Sequence, residues 1–204
     1  MRILLFTAIW LAGLLSPVTS WASDEVPDAY ASVQQTTDVL LSKLREVQPL
    51  YKENPDAFFS AVDEALAPFV DFEGFAQGVM AKYYKRATTE QKAQFYQTFR
   101  KSLIETYAKA LVEFDNQKVD VLRPEKPSSR PGRETVRLDI HGKDGITYHV
   151  DYTLTLKNNT WLLRNVIVNG INIGLQFRSQ FAASMQRHRG DIGKVVQSWS
   201  SDLG

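Results

Sequence analysis

Apolar residues recur at three-and-four spacing through the first half of the chain and at every second position through much of the second half, so helices should precede a sheet. From Ala29 to Val47, Tyr30, Val33, Thr37, Leu40, Leu41, Leu44 and Val47 form one stripe, the mark of an amphipathic helix that Pro49 stops. Asn54-Pro55-Asp56 reads as an N-cap followed by proline at the first helical position. It opens a second helix with Phe58, Val62, Leu66 and Phe69 on one side, which Pro68 should end or kink. Asp71 to Tyr84 is interrupted by Gly74 and Gly78, each costing a helix about 1 kcal/mol relative to alanine. That piece is expected to be irregular or closely packed, and its Gly74 to Gly78 segment is the candidate for a flexible gate. Thr88-Thr89-Glu90-Gln91 is a capping box that starts the longest helical pattern, reaching about Phe114. Its stripe is Phe95, Phe99, Leu103, Tyr107, Ala110, Leu111 and Phe114.

From Asn116 the period becomes two. Val119 and Val121 predict a short strand, and Pro124 to Gly132 a polar loop. Thr135 to Ile140 sets Val136, Leu138 and Ile140 on one face and Arg137 and Asp139 on the other. After a hairpin turn at Lys143-Asp144-Gly145, the next strand points Ile146, Tyr148, Val150, Tyr152, Leu154 and Leu156 one way. Its alternate positions are Thr147, His149, Asp151, Thr153 and Thr155. Lys157-Asn158-Asn159 is a second hairpin turn, and Trp161 to Val168 is apolar on both faces, hence covered on both sides or bulged. Gly170 ends it. Helical spacing returns from about Leu175 through Phe177, Phe181 and Met185, breaks at Gly190, and closes with Ile192, Val195, Val196 and Trp199. The predicted fold is α+β: a twisted antiparallel sheet of about four strands, covered by helices from both the N-terminal half and the C-terminus.

The first residues change the picture of where this domain works. Arg2, an apolar run from Ile3 to Leu15 and the small-x-small triplet Ser20-Trp21-Ala22 read as a cleaved signal peptide over residues 1–22. The run of 13 residues is short for a membrane span, which needs roughly 20. Residues 23–204 are then a single domain in an extracytoplasmic space, and with no Cys it is held by packing alone. Without Arg2 the 24 basic residues become 23, equal to the 23 acidic ones, so no net field favours nucleic acid or an anionic bilayer.

Candidate chemistry is sparse. There are three histidines and no nucleophile elbow, zinc-protease motif, phosphate loop or dinucleotide fingerprint. His149 and Asp151 share a strand face with Arg137 and Asp139, a constellation that would suit acid and base groups but is also what a solvated sheet face looks like. His141 lies beside a turn, and His188 sits in Arg187-His188-Arg189. The apolar constellation carries more: Val136, Leu138, Ile140, Val150, Tyr152 and Leu154 make one wall, and Phe99, Leu103 and Tyr107 of the long helix make a candidate cover. The two walls meet as a solid core or stand apart around a cavity; periodicity permits both.

Lys82-Tyr83-Tyr84-Lys85-Arg86-Ala87-Thr88, followed by Phe95, Phe99, Leu103, Thr106-Tyr107 and Ala110-Leu111, resembles the MlaC family of periplasmic phospholipid-binding proteins, also called toluene-tolerance proteins. Asn54-Pro55-Asp56 with Pro68-Phe69-Val70 agrees upstream. Trp161 through Val166 to Gly170-Ile171-Asn172, with Phe177-Arg178-Ser179-Gln180-Phe181, agrees downstream. The chain departs from the family's pattern at Asn165 and Asn169, where acidic residues are common.

The resemblance implies a carrier rather than an enzyme, with phospholipid as cargo and no cofactor or metal. Its implied partners are an outer-membrane lipoprotein complex and an inner-membrane ABC transporter with its membrane-anchored substrate-binding subunit. The residues expected to meet lipid are the two walls above together with Phe72, Phe75, Val79, Val166, Val168 and Ile173. Two acyl chains of roughly 15 methylenes represent on the order of 24 kcal/mol of burial against water, and a bilayer offers a similar gain. Exchange with a docked membrane protein is therefore nearly balanced, while release into water is steeply uphill. A phospholipid-modifying enzyme built on His149, Asp151 and Asp139, and an interaction module with a solid core, are the alternatives that the sequence leaves open.

Overall fold

The computed structural model describes residues 26–112, 117–126 and 128–199, and of residues 109–111 the backbone alone. The expected signal peptide and the helix end at Phe114 lie outside the described residues. Among the described residues, no helix is long and apolar enough to cross a membrane.

Asp28 opens α1 (Ala29–Val47) by accepting from the Tyr30 amide at 3.1 Å. A single turn, α2 (Leu50–Glu53), follows Pro49; four residues carry no periodicity, and the sequence pattern gave no sign of it. Asn54 caps α3 (Pro55–Leu66) through the Ala57 amide, with Pro55 in the first turn where its missing N–H costs nothing. Asp71 caps α4 (Phe72–Met80), which runs into a 3-10 turn at Ala81–Tyr83. The capping box forms as its residues predict: the Gln91 amide donates to Thr88 Oγ1 at 3.2 Å and the Thr88 amide to Gln91 Oε1 at 3.0 Å, starting α5 (Thr89–Val112).

The sheet is an antiparallel meander in chain order: β1 (Val119–Leu122), β2 (Arg133–His141), β3 (Thr147–Lys157), β4 (Thr160–Val168) and β5 (Ile171–Asn172). That is one strand more than the period predicts. Asn169 and Gly170 both take positive φ, 46° and 82°, so the chain reverses tightly after β4 and pairs for two residues before Asn172 caps α6 (Ile173–Arg187). The β3–β4 turn works in the same way, with Asn158 and Asn159 at φ 48° and 59°. The chain ends in α7 (Ile192–Ser198), capped by Asp191.

β4 carries a bulge. Thr153 pairs with Asn165 and Leu154 with Leu163, leaving Arg164 as the extra residue. The Phe69–Asp71 segment adds to the edge of β4 at this point: Leu163 N donates to Phe69 O and Asp71 N to Leu163 O, both at 2.8 Å.

Three apolar clusters form around this frame. Phe75, Phe95, Phe99, Phe177, Phe181 and Trp199 build an aromatic cluster where α4, α5, α6 and α7 meet, with Phe95 and Phe99 stacked at 5.5 Å. Ala29 and Val33 of α1 pack with Val136, Leu138, Val150 and Leu154 on one face of the sheet. Val47, Phe58, Val62, Phe72, Ile104 and Ala108 join the end of α1, the body of α3 and the start of α4 to α5.

Candidate functional site

The first half of α1 belongs to the sheet-face cluster and its last residue, Val47, to the α3–α5 cluster, so the middle of the helix spans from one to the other. Beneath that span lies a cavity of about 200 Å³. Val33, Leu40, Leu41 and Leu44 roof it, while Val62, Ala65 and Leu66 of α3 and the Phe69-Val70 segment close one side. The sheet supplies Val119, Leu138, Ile140, Tyr152, Leu154, Trp161 and Leu163. The remaining lining residues are Ser32, Thr36 and Thr37, so no charged side chain among the described residues lines this space.

Both ends of the roof are pinned. Trp161 donates its indole N–H to Pro27 O at 2.6 Å, and Arg123 pairs with Asp28 at 3.0 Å while covering the Tyr30 ring at 4.4 Å. At the other end, Gln48 donates through Nε2 to Val112 O. Between these attachments Val39 remains half exposed to solvent, and no described side-chain hydrogen bond ties the central residues to the sheet or to α3. The walls are therefore fixed by the sheet and α3, and the roof by its two ends.

Of the residues expected to meet lipid, Leu138, Ile140, Tyr152 and Leu154 line the cavity. Val136, Val150, Val166 and Val168 lie on the same sheet face, in the cluster beside it. Phe75, Val79 and Phe99 are instead in the aromatic cluster, with Leu103 and Ile173 packed against it. Phe72 belongs to the α3–α5 cluster, and Tyr107 is 41% exposed with its ring 6.4 Å from Phe177. The expected cover from α5 is thus replaced by α1, because the described part of the α5 stripe packs on α3, α4, α6 and α7. The sequence did mark the α1 stripe, including Leu40, Leu41 and Leu44; what it lacked was any sign of which sheet face that stripe covers.

The expected gate also differs. Six of the nine residues of α4 are buried, Gly74 among them, and neither Gly74 nor Gly78 borders the cavity. Gly74 is there for space: a Cβ at this position would run into the Asp71 carboxylate and the Arg164 guanidinium.

Asp71 follows the lining residue Val70 and is 5% exposed. Its carboxylate accepts from Lys157 Nζ at 2.9 Å, from the Gly74 amide at 2.9 Å and from Arg164 Nη1 at 3.1 Å. Burial works against its ionisation, but the Lys157 ammonium, the Gly74 amide and the Arg164 charge together hold its pKa below the ordinary carboxylate range.

The polar constellation lies on the other side of the sheet, as period two requires for residues alternating with Leu138, Val150 and Tyr152. His149 Nδ1 is 2.7 Å from Asp139 Oδ1, and Arg137 makes a two-bond fork to Asp151 at 2.6 and 2.9 Å. The Arg137 hydrogen bonds hold the Asp151 pKa down. These are partly exposed pairs on a solvated face. His141 meets Asp120 at 2.9 Å, and His188 meets Ser198 at 3.3 Å. Among the described residues, no group of three or more metal-ligating side chains is arranged to hold an ion. The two departures noted in the sequence have local structural work. Asn165 Oδ1 accepts from the Gly174 amide at the start of α6, and Asn169 Oδ1 accepts from the His149 amide, both at 2.9 Å.

An uncharged cavity between a helical roof and a twisted meander defines an α+β domain suited to enclosing an apolar molecule. This chain belongs to the MlaC family, whose model, described as MlaC protein, matches residues 34–201. It is 41% identical over 172 residues to the toluene tolerance protein ttg2D of Pseudomonas putida, covering 84% of this chain and 79% of that one. It is 27% identical over 147 residues to the intermembrane phospholipid transport system binding protein MlaC of Haemophilus influenzae, covering 71% of this chain and 68% of that one. Among solved structures it is similar to the phospholipid-binding protein from Ralstonia solanacearum, determined in complex with a phospholipid. That match has a TM-score of 0.77 and 28% identity, and covers 86% of this chain and 97% of the other.

Proposed function

We propose that this protein is a periplasmic phospholipid carrier, which takes acyl chains into the cavity between α1, α3 and the sheet and moves lipid between the outer membrane and an inner-membrane ABC transporter. Residues 1–22 direct export and are removed, and residues 23–204 act as one lipid-binding domain. Its docking partners are an outer-membrane lipoprotein complex on one side and the transporter's membrane-anchored substrate-binding subunit on the other. The observation that carries this reading is the uncharged lining of the cavity, in a fold whose relatives are named for phospholipid binding and transport.

Physical size adds a requirement. A cavity of about 150 Å³ holds one benzene, so the 200 Å³ beneath α1 is far too small for two acyl chains. Loading therefore moves the roof outward while the sheet stays in place. Catalysis by His149 and Asp139 does not fit this reading, since both lie on the sheet face turned away from the cavity. Organic extraction of gently purified protein followed by mass spectrometry tests the proposal. Stoichiometric phospholipid is expected, and an extract free of lipid would refute it.

A further inference from the structure

Tyr152 is one of two sheet residues lining the cavity that carry a polar group, Trp161 being the other. It is central to the wall: its strand neighbours are Val136 on β2 and Val166 on β4, and it lines the space beside Leu138, Ile140 and Leu154. Two further observations concern its oxygen. No described residue hydrogen-bonds it, and burial alone pushes its pKa above that of an ordinary phenol, so the group keeps its proton. Nor is the oxygen sealed off, because Trp199 Nε1 is the buried side-chain polar atom that lacks both a partner and any free surface among the described residues. The Tyr152 O–H is therefore an unused donor on a residue that lines the cavity. Trp161, the other polar group that the sheet contributes, differs in that its N–H is already given to Pro27 O.

A buried hydroxyl without an acceptor is destabilising, and a ligand that supplies one is favoured over a ligand that does not. A diacyl phospholipid carries two kinds of acceptor. Its phosphate is charged, and a cavity with no cationic residue among its described lining gives an ion nothing in return for lost water. Its acyl-ester carbonyls are neutral and sit at the top of the tails. Resting on the carrier reading above, we infer that the Tyr152 hydroxyl donates a hydrogen bond to an acyl-ester carbonyl of the bound lipid. This contact fixes how deeply the glycerol end enters and makes the protein select ester-linked over ether-linked lipids. A single neutral hydrogen bond corresponds to a preference of roughly five- to tenfold.

The test is a competition between dioleoyl phosphatidylglycerol and its di-O-oleyl ether analogue, presented in equal amounts in mixed vesicles to delipidated protein and counted by native mass spectrometry. Wild type should carry the diester in about five- to tenfold excess, and Tyr152→Phe should carry both equally. Equal loading of wild type, or an ester preference that survives Tyr152→Phe, would overturn the inference. If neither lipid is carried by either protein, the carrier reading itself fails. Infrared spectra of carbonyl-labelled diester bound to wild type give a second measurement, independent of the variant's folding. One ester C=O stretch lowered relative to the same lipid in hydrocarbon supports the bond, and two unshifted stretches refute it.

Discussion

Arg164 reaches Asp71 from the extra residue of the β4 bulge, its Nη1 lying 3.1 Å from Asp71 Oδ2. One irregularity in the sheet thereby aims a cation at the residue that caps α4 and follows the Phe69-Val70 wall of the cavity. With Lys157 on the second oxygen, the cluster ties β3, β4 and α4 together. Asp71→Ala should cost about 2 kcal/mol of stability, read as a shifted urea midpoint, because it leaves Arg164 and the Gly74 amide without their acceptor.

The same carboxylate sets an acid limit. Its native pKa is depressed, so its contribution is fully present above the unfolded aspartate value of about 3.9 and is lost as pH falls through the lower native value. Between wild type and Asp71→Asn, the stability difference should be constant from neutral pH to about 5 and shrink below about 4. A difference that grows on acidification would contradict the assignment.

The two glycines of α4 should respond in opposite ways to alanine. Gly74→Ala pushes a methyl into Asp71 and Arg164 and should lower stability by about 1–3 kcal/mol. At Gly78 a Cβ meets nothing within 4 Å, so alanine should be neutral or stabilise by up to about 1 kcal/mol through helix propensity. Thermal melts of the two variants check the contrast.

A charge in the roof should block loading without breaking the core. Leu40 and Leu41 are half-buried and line the cavity, so Leu40→Arg or Leu41→Arg should abolish lipid co-purification while leaving the circular dichroism spectrum intact. Lipid at the wild-type level in either variant would remove α1 from the site.

The roof should also be the most labile wall. Its central turns have a solvent-facing side and few ties to the layers beneath, whereas β2 is paired with β3 along its whole length and β3 along both edges for most of its own. Amide exchange in the middle of α1 should therefore outpace that in β2 and β3. Trp161→Phe, which removes the donor to Pro27 O, should speed it further at the N-terminal end of the helix. Uniform exchange across α1 and the strands would contradict a mobile roof.

How much of this was legible in the sequence follows from what periodicity encodes. The stripe from Ala29 to Val47, the caps at Asn54 and Thr88 and the Asn158-Asn159 turn depend on neighbours in the chain, and each forms where the residues place it. Alternation also identified the sheet residues that share the cavity face, Leu138, Ile140, Tyr152 and Leu154. The bulge at Arg164 was visible only as a loss of period, since Trp161 to Val168 reads apolar on both faces whichever residue is extra. β5 escaped because two residues carry no pattern. The expected cover, α5, gives way to α1, and periodicity could not tell them apart because both present long apolar stripes. Which stripe faces the sheet is a tertiary decision, settled by Phe95 and Phe99 stacking into the aromatic cluster with Phe181 and Trp199.

The competing covers give the most direct test of where the lipid lies. A photo-crosslinking benzoylphenylalanine placed at Leu41 on α1, or at Tyr107 on α5, can be irradiated in protein purified with its bound lipid and the product weighed intact. The cavity described above predicts a phospholipid adduct from position 41 and none from position 107. Adducts from position 107 with none from position 41 would place the tails under α5 and contradict the account.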